Sequence, residues 1–330
     1  MMEFRIPLRP AKLPSFIEFG EGILLSGSCF TEHMAERMRR HKFKVLENPN
    51  GVLFNPVSIA SSLVRAIDGE PYSRYDLFQA NGLWSNWDFH GRFSDPDSGK
   101  ALEAMNASVE RAHGFLRETR WLFLTLGSAW VYQLADGRIV ANCHKAPDGN
   151  FTRRLLSPED VLSKLDNLVH RLSRINPDLQ LILTVSPVRH MRDGYVENNR
   201  SKAVLLQAVH HLSGKFEGIH YFPAYELVID DLRDYRFYAE DMVHPNHQAT
   251  TYVWERFVES AFSGSTREAM REIAGLAAAM AHRPLHPASA AHRDFMRACL
   301  DKTLELSRRF PTLDFSEELR FFGCDAGPGP

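Results

Sequence analysis

Gly22-Ile23-Leu24-Leu25-Ser26-Gly27-Ser28-Cys29-Phe30 is the stretch on which the fold turns. Gly22 to Ser26 is a short apolar run, the length of a buried strand. Gly27 and Ser28 are small residues suited to a tight turn. From Phe30 to Arg40 the periodicity changes, and Phe30, Met34 and Met38 recur on one helical stripe. The segment therefore reads as strand, turn and helix, with a serine and a cysteine at the turn.

The same pattern recurs along the chain. Trp121 to Leu126 is a second apolar run, closed by Gly127-Ser128. Leu179 to Val185 is a third, closed by Ser186-Pro187, and Ile219 to Phe222 is a fourth. Helical patterns precede the last three, at about Leu102 to Arg117, Pro158 to Ile175 and Glu197 to Leu212. Apolar strands alternating with helices predict a three-layer α/β/α fold, flavodoxin-like, around a mostly parallel central sheet. Right-handed crossovers place the carboxyl ends of such strands on one edge, where ligands bind. Each of the first three strands ends there in small or polar residues.

Two stretches interrupt the alternation. Val131 to Cys143 reads as a hairpin around Ala135-Asp136-Gly137. Phe78 to Phe93 is rich in aromatic and turn residues. Both are expected as insertions, at about 78–93 and 131–150, able to wall a pocket. The catalytic domain is expected over 1–262. Residues 263–330 are expected to form a helical extension packed on it, in two segments split by Arg283-Pro284-Leu285-His286-Pro287, with a frayed end from Gly323 to Pro330.

Composition narrows the function. The 330 residues are 44% hydrophobic and 24% charged, which suits a globular chain that buries its core without staples. A formal net charge of −2 offers nothing to nucleic acid or an anionic membrane. Cys29, Cys143, Cys299 and Cys324 lie far apart with no C-x-x-C pair, which argues against a zinc ribbon or a disulfide scaffold. Met1 to Lys12 has no apolar core of a signal peptide, and no stretch is apolar enough to span a bilayer. A cytoplasmic chain with reduced thiols is expected; its oligomeric state is not legible.

Chemistry is suggested by pairing the Gly27–Phe30 turn with Asp241-Met242-Val243-His244-Pro245-Asn246. A nucleophile at a strand-to-helix turn lies near helix amides that can donate to an oxyanion and favour a thiolate. A loop histidine with an aspartate three residues earlier has the makings of a general base and its orienting carboxylate. A small-residue turn around a buried cysteine has the same appearance as the first motif, and a helix cap has that of the second. Metal ligation by Asp241, His244 and His247, with Cys29 from afar, is a further alternative. His144-Lys145 follows the hairpin. Arg189-His190 follows the third strand, placed to bind a carboxylate or phosphate. Trp84, Trp87 and His90 are candidates to stack on a sugar ring.

Together these motifs resemble the SGNH (GDSL-type) hydrolase superfamily, and within it the GSCFA domain family. Its namesake motif stands here as Gly27-Ser28-Cys29-Phe30, with Thr31 in place of the final alanine. Other matching segments are 48–56, 125–130, 141–145 and 186–190, in a resemblance covering roughly residues 20 to 262. It implies an SGNH-like domain and a hydrolase or acyltransferase working on an O-acyl ester, of a carbohydrate or small metabolite, with no cofactor and no metal. Laying Gly27 on the glycine of G-D-S-L places Cys29 at the nucleophile, with Ser28 the rival one position early. Asp241 and His244 take the orienting and base roles. Gly51 is the candidate oxyanion glycine, with Asn55 beside it. The expected G-x-N-D motif is replaced by Gly127-Ser128-Ala129-Trp130, so the asparagine donor is missing, and Ser128 or Asn142 is left as a substitute. That gap keeps a catalytically silent, ligand-binding member of the fold as the alternative.

Overall fold

The computed structural model describes residues 6–324. Its central sheet contains five strands in the order β2-β1-β5-β9-β10: β1 (Gly22–Gly27), β2 (Lys44–Glu47), β5 (Trp121–Leu126), β9 (Gln180–Val185) and β10 (Ile219–Tyr221). β1 with β5, β5 with β9 and β9 with β10 are parallel. Every residue of β1 and β5 is buried, as expected of strands covered on both faces. The chain leaves β1 toward β2 on one side and later returns to β5 on the other. The order thus switches between β1 and β5, and in open α/β sheets that is where a ligand crevice forms.

Five helices accompany the sheet: α1 (Cys29–Arg40), α2 (Pro56–Asp68), α3 (Ser98–Glu118), α4 (Pro158–Ile175) and α5 (Gly194–Lys215). α4 starts in a capping box, Ser157 with Asp160, and presents Val161, Leu165, Leu168 and Leu172 to the core. Neither α2 nor β2 is among the elements expected from the sequence. Yet α2 carries conventional punctuation: Asn55 caps it by accepting from Ser58 N–H, Pro56 opens it, and Gly69 closes it at φ +66°. β2 is an edge strand with no fully buried residue, so it lacks the apolar run that marked the others.

The interruptions form small antiparallel sheets. β3 (Phe78–Ala80) pairs with β4 (Leu83–Ser85). β6 (Trp130–Gln133) pairs with β7 (Ile139–Val140) on one side and β8 (Thr152–Leu155) on the other, so the expected hairpin has a third strand. After β10 come α6 (Ala224–Glu226), a π-helical turn over Leu227–Leu232, and α7 (His247–Ala261).

The chain divides into two compact units, one of residues 1–13, 22–35 and 45–260, the other of 14–21, 36–44 and 261–330. The second holds α8 (Gly264–Ala281), α9 (Ala290–Arg309) and α10 (Ser316–Cys324) around Ile273, Leu276, Met296, Leu306 and Phe322. Three helices stand where two segments were expected. α10 extends to Cys324; residues 325–330 of the segment expected to fray lie outside the described residues. Among the described residues no helix is long and apolar enough to cross a membrane.

Gly27 joins β1 to the site. Its φ of +147° is glycine territory, and a Cβ there would lie 2.2 Å from Thr125 O. Gly27→Ala should therefore cost at least about 2 kcal/mol of stability from backbone strain and collision. The expected readout is a lower urea midpoint at unchanged m-value; an unchanged midpoint would refute the strain.

Candidate active site

The turn after β1 is tied to three segments. Gly27 N–H donates to Asn48 Oδ1 at 2.9 Å, Leu53 N–H to Gly27 O at 2.9 Å, and Ser28 N–H to Thr125 O at 3.2 Å. Ser28 is 1% exposed, and its Oγ is buried without a hydrogen-bond partner. Cys29, the first residue of α1, is only half-buried. Burial and then the Glu32 carboxylate raise its thiol pKa. The Phe30 amide, Cys29's own amide and the Lys202 ammonium pull the other way.

Asp241 and His244 form the second half of the constellation. His244 Nδ1 lies 2.6 Å from Asp241 Oδ2, while the amides of Val243 and His244 donate to Asp241 Oδ1 at 2.9 and 3.0 Å. The His244 amide, its side chain and the Val243 amide together hold the Asp241 carboxyl down at about 2. A carboxylate on Nδ1 fixes the tautomer and leaves Nε2 for proton transfer. Met242, at φ +57°, makes the tight turn that folds the pair together. Among the described residues no three His, Cys, Asp or Glu side chains gather to hold one ion, so Asp241, His244, His247 and Cys29 do not form the metal set considered from sequence.

His190 follows β9 and is influenced by His244. Its ring meets Phe54 edge-on at 5.6 Å, and its amide donates to Asn198 Oδ1 at 3.0 Å. Burial, the Lys202 ammonium and His244 push its pKa down to about 4, against a hydrogen bond to the Gly127 backbone. Lys202, on α5, is 1% exposed and donates to Gly127 O at 2.7 Å and Ser186 O at 2.6 Å. Sequence reasoning missed Lys202. A signal was present: it sits on the same helical stripe as Asn198, Leu205, Val209 and Leu212, all buried.

A cavity of about 310 Å³ adjoins the strand ends. It is lined by Asn55, His90, Ser128, Asn142 and His190, five of the residues singled out from sequence. Trp130, Tyr132, Cys143, Arg153 and Arg192 join them. Several of the polar groups are already engaged. Asn55 caps α2 through Ser58. Asn142 Oδ1 accepts from His144 N–H, and Ser128 Oγ from Trp130 N–H.

Other expectations need correction. Gly51 N–H donates to Asn48 O at 2.7 Å, and the amides of Gly127 and Ser128 both donate to Phe54 O. These three amides are therefore occupied and not held ready for an oxyanion. Gly51 is glycine because a Cβ would strike His90 Cβ at 2.2 Å. His144 is not among the pocket residues: it packs against Phe78 and Trp87, with Nε2 at 2.8 Å from Asn86 O. Trp87 stacks on Phe78 and Trp84 packs on an apolar cluster around Phe89, so neither offers a face to this cavity. The Arg189 guanidinium lies over the rings of Tyr195, Tyr235 and Tyr238, with its amide on Val243 O.

With this geometry in place, comparisons with known proteins place the chain. The model of the GSCFA family matches residues 22–257, and that of the GSCFA domain protein, C-terminal domain, matches 273–324. No curated protein matches the sequence. Similar solved structures include a protein from Streptococcus pneumonia named for platelet activating factor (11% identity, 74% of this chain and 86% of that one, TM-score 0.40). A carbohydrate esterase family 3 from Talaromyces cellulolyticus is also similar (8% identity, 77% and 99%, TM-score 0.36). So is an acetyl xylan esterase from the rumen bacterium Butyrivibrio proteoclasticus (10% identity, 74% and 64%, TM-score 0.40).

Burial of a neutral His190 should make the fold acid-sensitive. Its pKa falls from the ordinary 6.5 to about 4 on folding, so the unfolded chain binds the proton more readily. The stability contributed by the neutral ring is complete above about pH 6.5 and declines as pH falls toward about 4. His190→Asn should flatten that decline by roughly 3 kcal/mol. Denaturant titrations across the window measure it, and parallel curves for the two proteins would reject it.

Proposed function

The chain belongs to the GSCFA family, and on that premise we propose that it acts on an O-acyl ester through Cys29, His244 and Asp241. The observation that supports the reading is the 2.6 Å contact between Asp241 Oδ2 and His244 Nδ1, the arrangement that suits a base acting through Nε2. Within the nucleophile turn, exposure favours Cys29, because Ser28 is sealed from solvent.

The steps follow from these groups. Cys29 Sγ attacks the acyl carbon and its proton passes to His244 Nε2, while Asp241 stabilises the imidazolium. Negative charge on the carbonyl oxygen develops beside the first amides of α1. Collapse breaks the ester C–O bond; the leaving alcohol takes the proton from His244, and a thioester on Cys29 remains. Water or a second hydroxyl, deprotonated by His244, attacks the thioester and regenerates the thiol. Which acceptor arrives distinguishes hydrolysis from acyl transfer. All these groups lie within residues 1–262, taken as the catalytic domain; the helices of 263–330 contribute none.

One observation favours a second reading, a silent binding protein. The asparagine position is occupied by Ala129, which is fully buried, and the Gly51, Gly127 and Ser128 amides are engaged elsewhere. Turnover of a chromogenic acetyl ester separates the two. Cys29→Ala and His244→Ala should each lower kcat by about 10³-fold or more, while Ser28→Ala retains most of it. The reverse pattern for Cys29 and Ser28 would move the nucleophile to the serine. No turnover by the unaltered protein would leave the binding reading.

A further inference from the structure

Arg189 reaches the segment that carries His244 twice, once through its backbone and once through its side chain. Its amide donates to Val243 O at 3.3 Å. Its guanidinium lies 4.2 Å from the centroid of the Tyr238 ring, 5.2 Å from that of Tyr235 and 5.6 Å from that of Tyr195. All three distances are within the reach of a cation–π attraction. Tyr235 and Tyr238 belong to the loop between the π-helical turn and α7, whereas Tyr195 lies at the start of α5. Arg189 itself follows β9, so one cation joins the loop to the scaffold.

The loop closes on itself. Ala239 N–H donates to His244 O at 2.7 Å, Met242 N–H to Ala239 O at 2.9 Å and Asn246 N–H to Phe237 O at 2.9 Å. These bonds set the shape of the loop, but not where it stands against the sheet. The side chains of His244 and Asp241 are 49% and 50% exposed, so packing of their own does little to hold them. Tyr238 does pack. It is 7% exposed, and its hydroxyl is buried without a hydrogen-bond partner among the described residues. An unpartnered hydroxyl does not hold a tyrosine in place. That leaves the ring, and the ring is what Arg189 covers.

We propose that Arg189 is a positioning residue for His244, clasping the 234–246 loop to the end of β9 through the tyrosine rings and so setting where Nε2 stands. It touches neither substrate nor the reacting atoms. A planar guanidinium suits the role, since it stacks on aromatic faces in a way that a compact ammonium does not. The inference rests on the reading of His244 as the base, but the clasp itself is measured without turnover.

The test is amide hydrogen exchange of the 234–246 segment, followed by mass spectrometry, with β5 as internal control. Arg189→Met keeps the amide bond to Val243 and an unbranched side chain but removes the cation. Arg189→Lys keeps a cation without the planar group. Exchange across 234–246 should be about tenfold faster in Arg189→Met and about threefold faster in Arg189→Lys, with β5 unchanged. An unchanged rate in Arg189→Met, equal rates in the two variants, or equal acceleration in β5 would each overturn the proposal. Turnover gives a second readout: Arg189→Met should lower kcat about tenfold or more with KM within about twofold, and Arg189→Lys should recover part of the loss. Full kcat beside faster exchange would show a clasp that does not position His244, and would also overturn it. If Arg189→Met fails to fold, the exposed Tyr235 takes its place. Tyr235→Leu should speed exchange, whereas Tyr235→Phe, which keeps the ring and loses the hydroxyl 3.3 Å from that of Tyr195, should match the unaltered protein; like behaviour of the two would count against the clasp. Unaltered protein with no esterase activity would sink the ester reading alone, since the exchange rates would still decide whether Arg189 holds the loop.

Discussion

β1 and β5 run side by side, fully buried, until Gly27 reaches Thr125, and there the two backbones come too close for any side chain. That approach is the constraint from which the site follows. It turns the chain out of the sheet at φ +147°, points Ser28 N–H at Thr125 O, and starts α1 at Cys29. Asn48 makes the turn rigid: its side chain accepts from Gly27, and its backbone oxygen accepts from Gly51 and from Arg92. A buried residue that accepts through both its side chain and its backbone is a strong local constraint, because breaking one bond leaves a desolvated group unpaired.

The same economy of backbone groups explains what is unusual about the strand ends. Phe54 O takes the amides of both Gly127 and Ser128, and the loop from Gly127 to Ala129 is held from α5 by Ser201 and Lys202. These bonds leave the loop well fixed but poor in free donors. The low pKa values of His190 and Lys202 express the cost of that arrangement: both are charged forms held at a disadvantage by burial.

Some parts of the proposed site were visible in the sequence because local chemistry fixed them. Asp241 and His244 are three residues apart, and the turn at Met242 folds them together without help from distant segments. The strand, turn and helix around Gly27 were equally local. Lys202 was not: nothing in its neighbours says that a lysine on α5 meets two carbonyls on β5 and β9. His144, Trp84 and Trp87 illustrate the opposite error, since residues that look available in sequence are consumed by packing: His144 and Trp87 with each other and Phe78, Trp84 on the cluster around Phe89.

By itself, then, the sequence determined the alternation of strand and helix, the parallel sheet that this alternation requires, and the two motifs on which the proposed reaction rests. Periodicity and turn chemistry act over a few residues, and they remain readable one segment at a time. Tertiary structure alone decided which of Ser28 and Cys29 meets solvent, which amides are engaged, and which buried lysine clamps the ends of β5 and β9. Those outcomes depend on burial and on hydrogen bonds between segments remote in the chain. Gly27 to Lys202 spans most of the first unit, yet one strand end separates them in space.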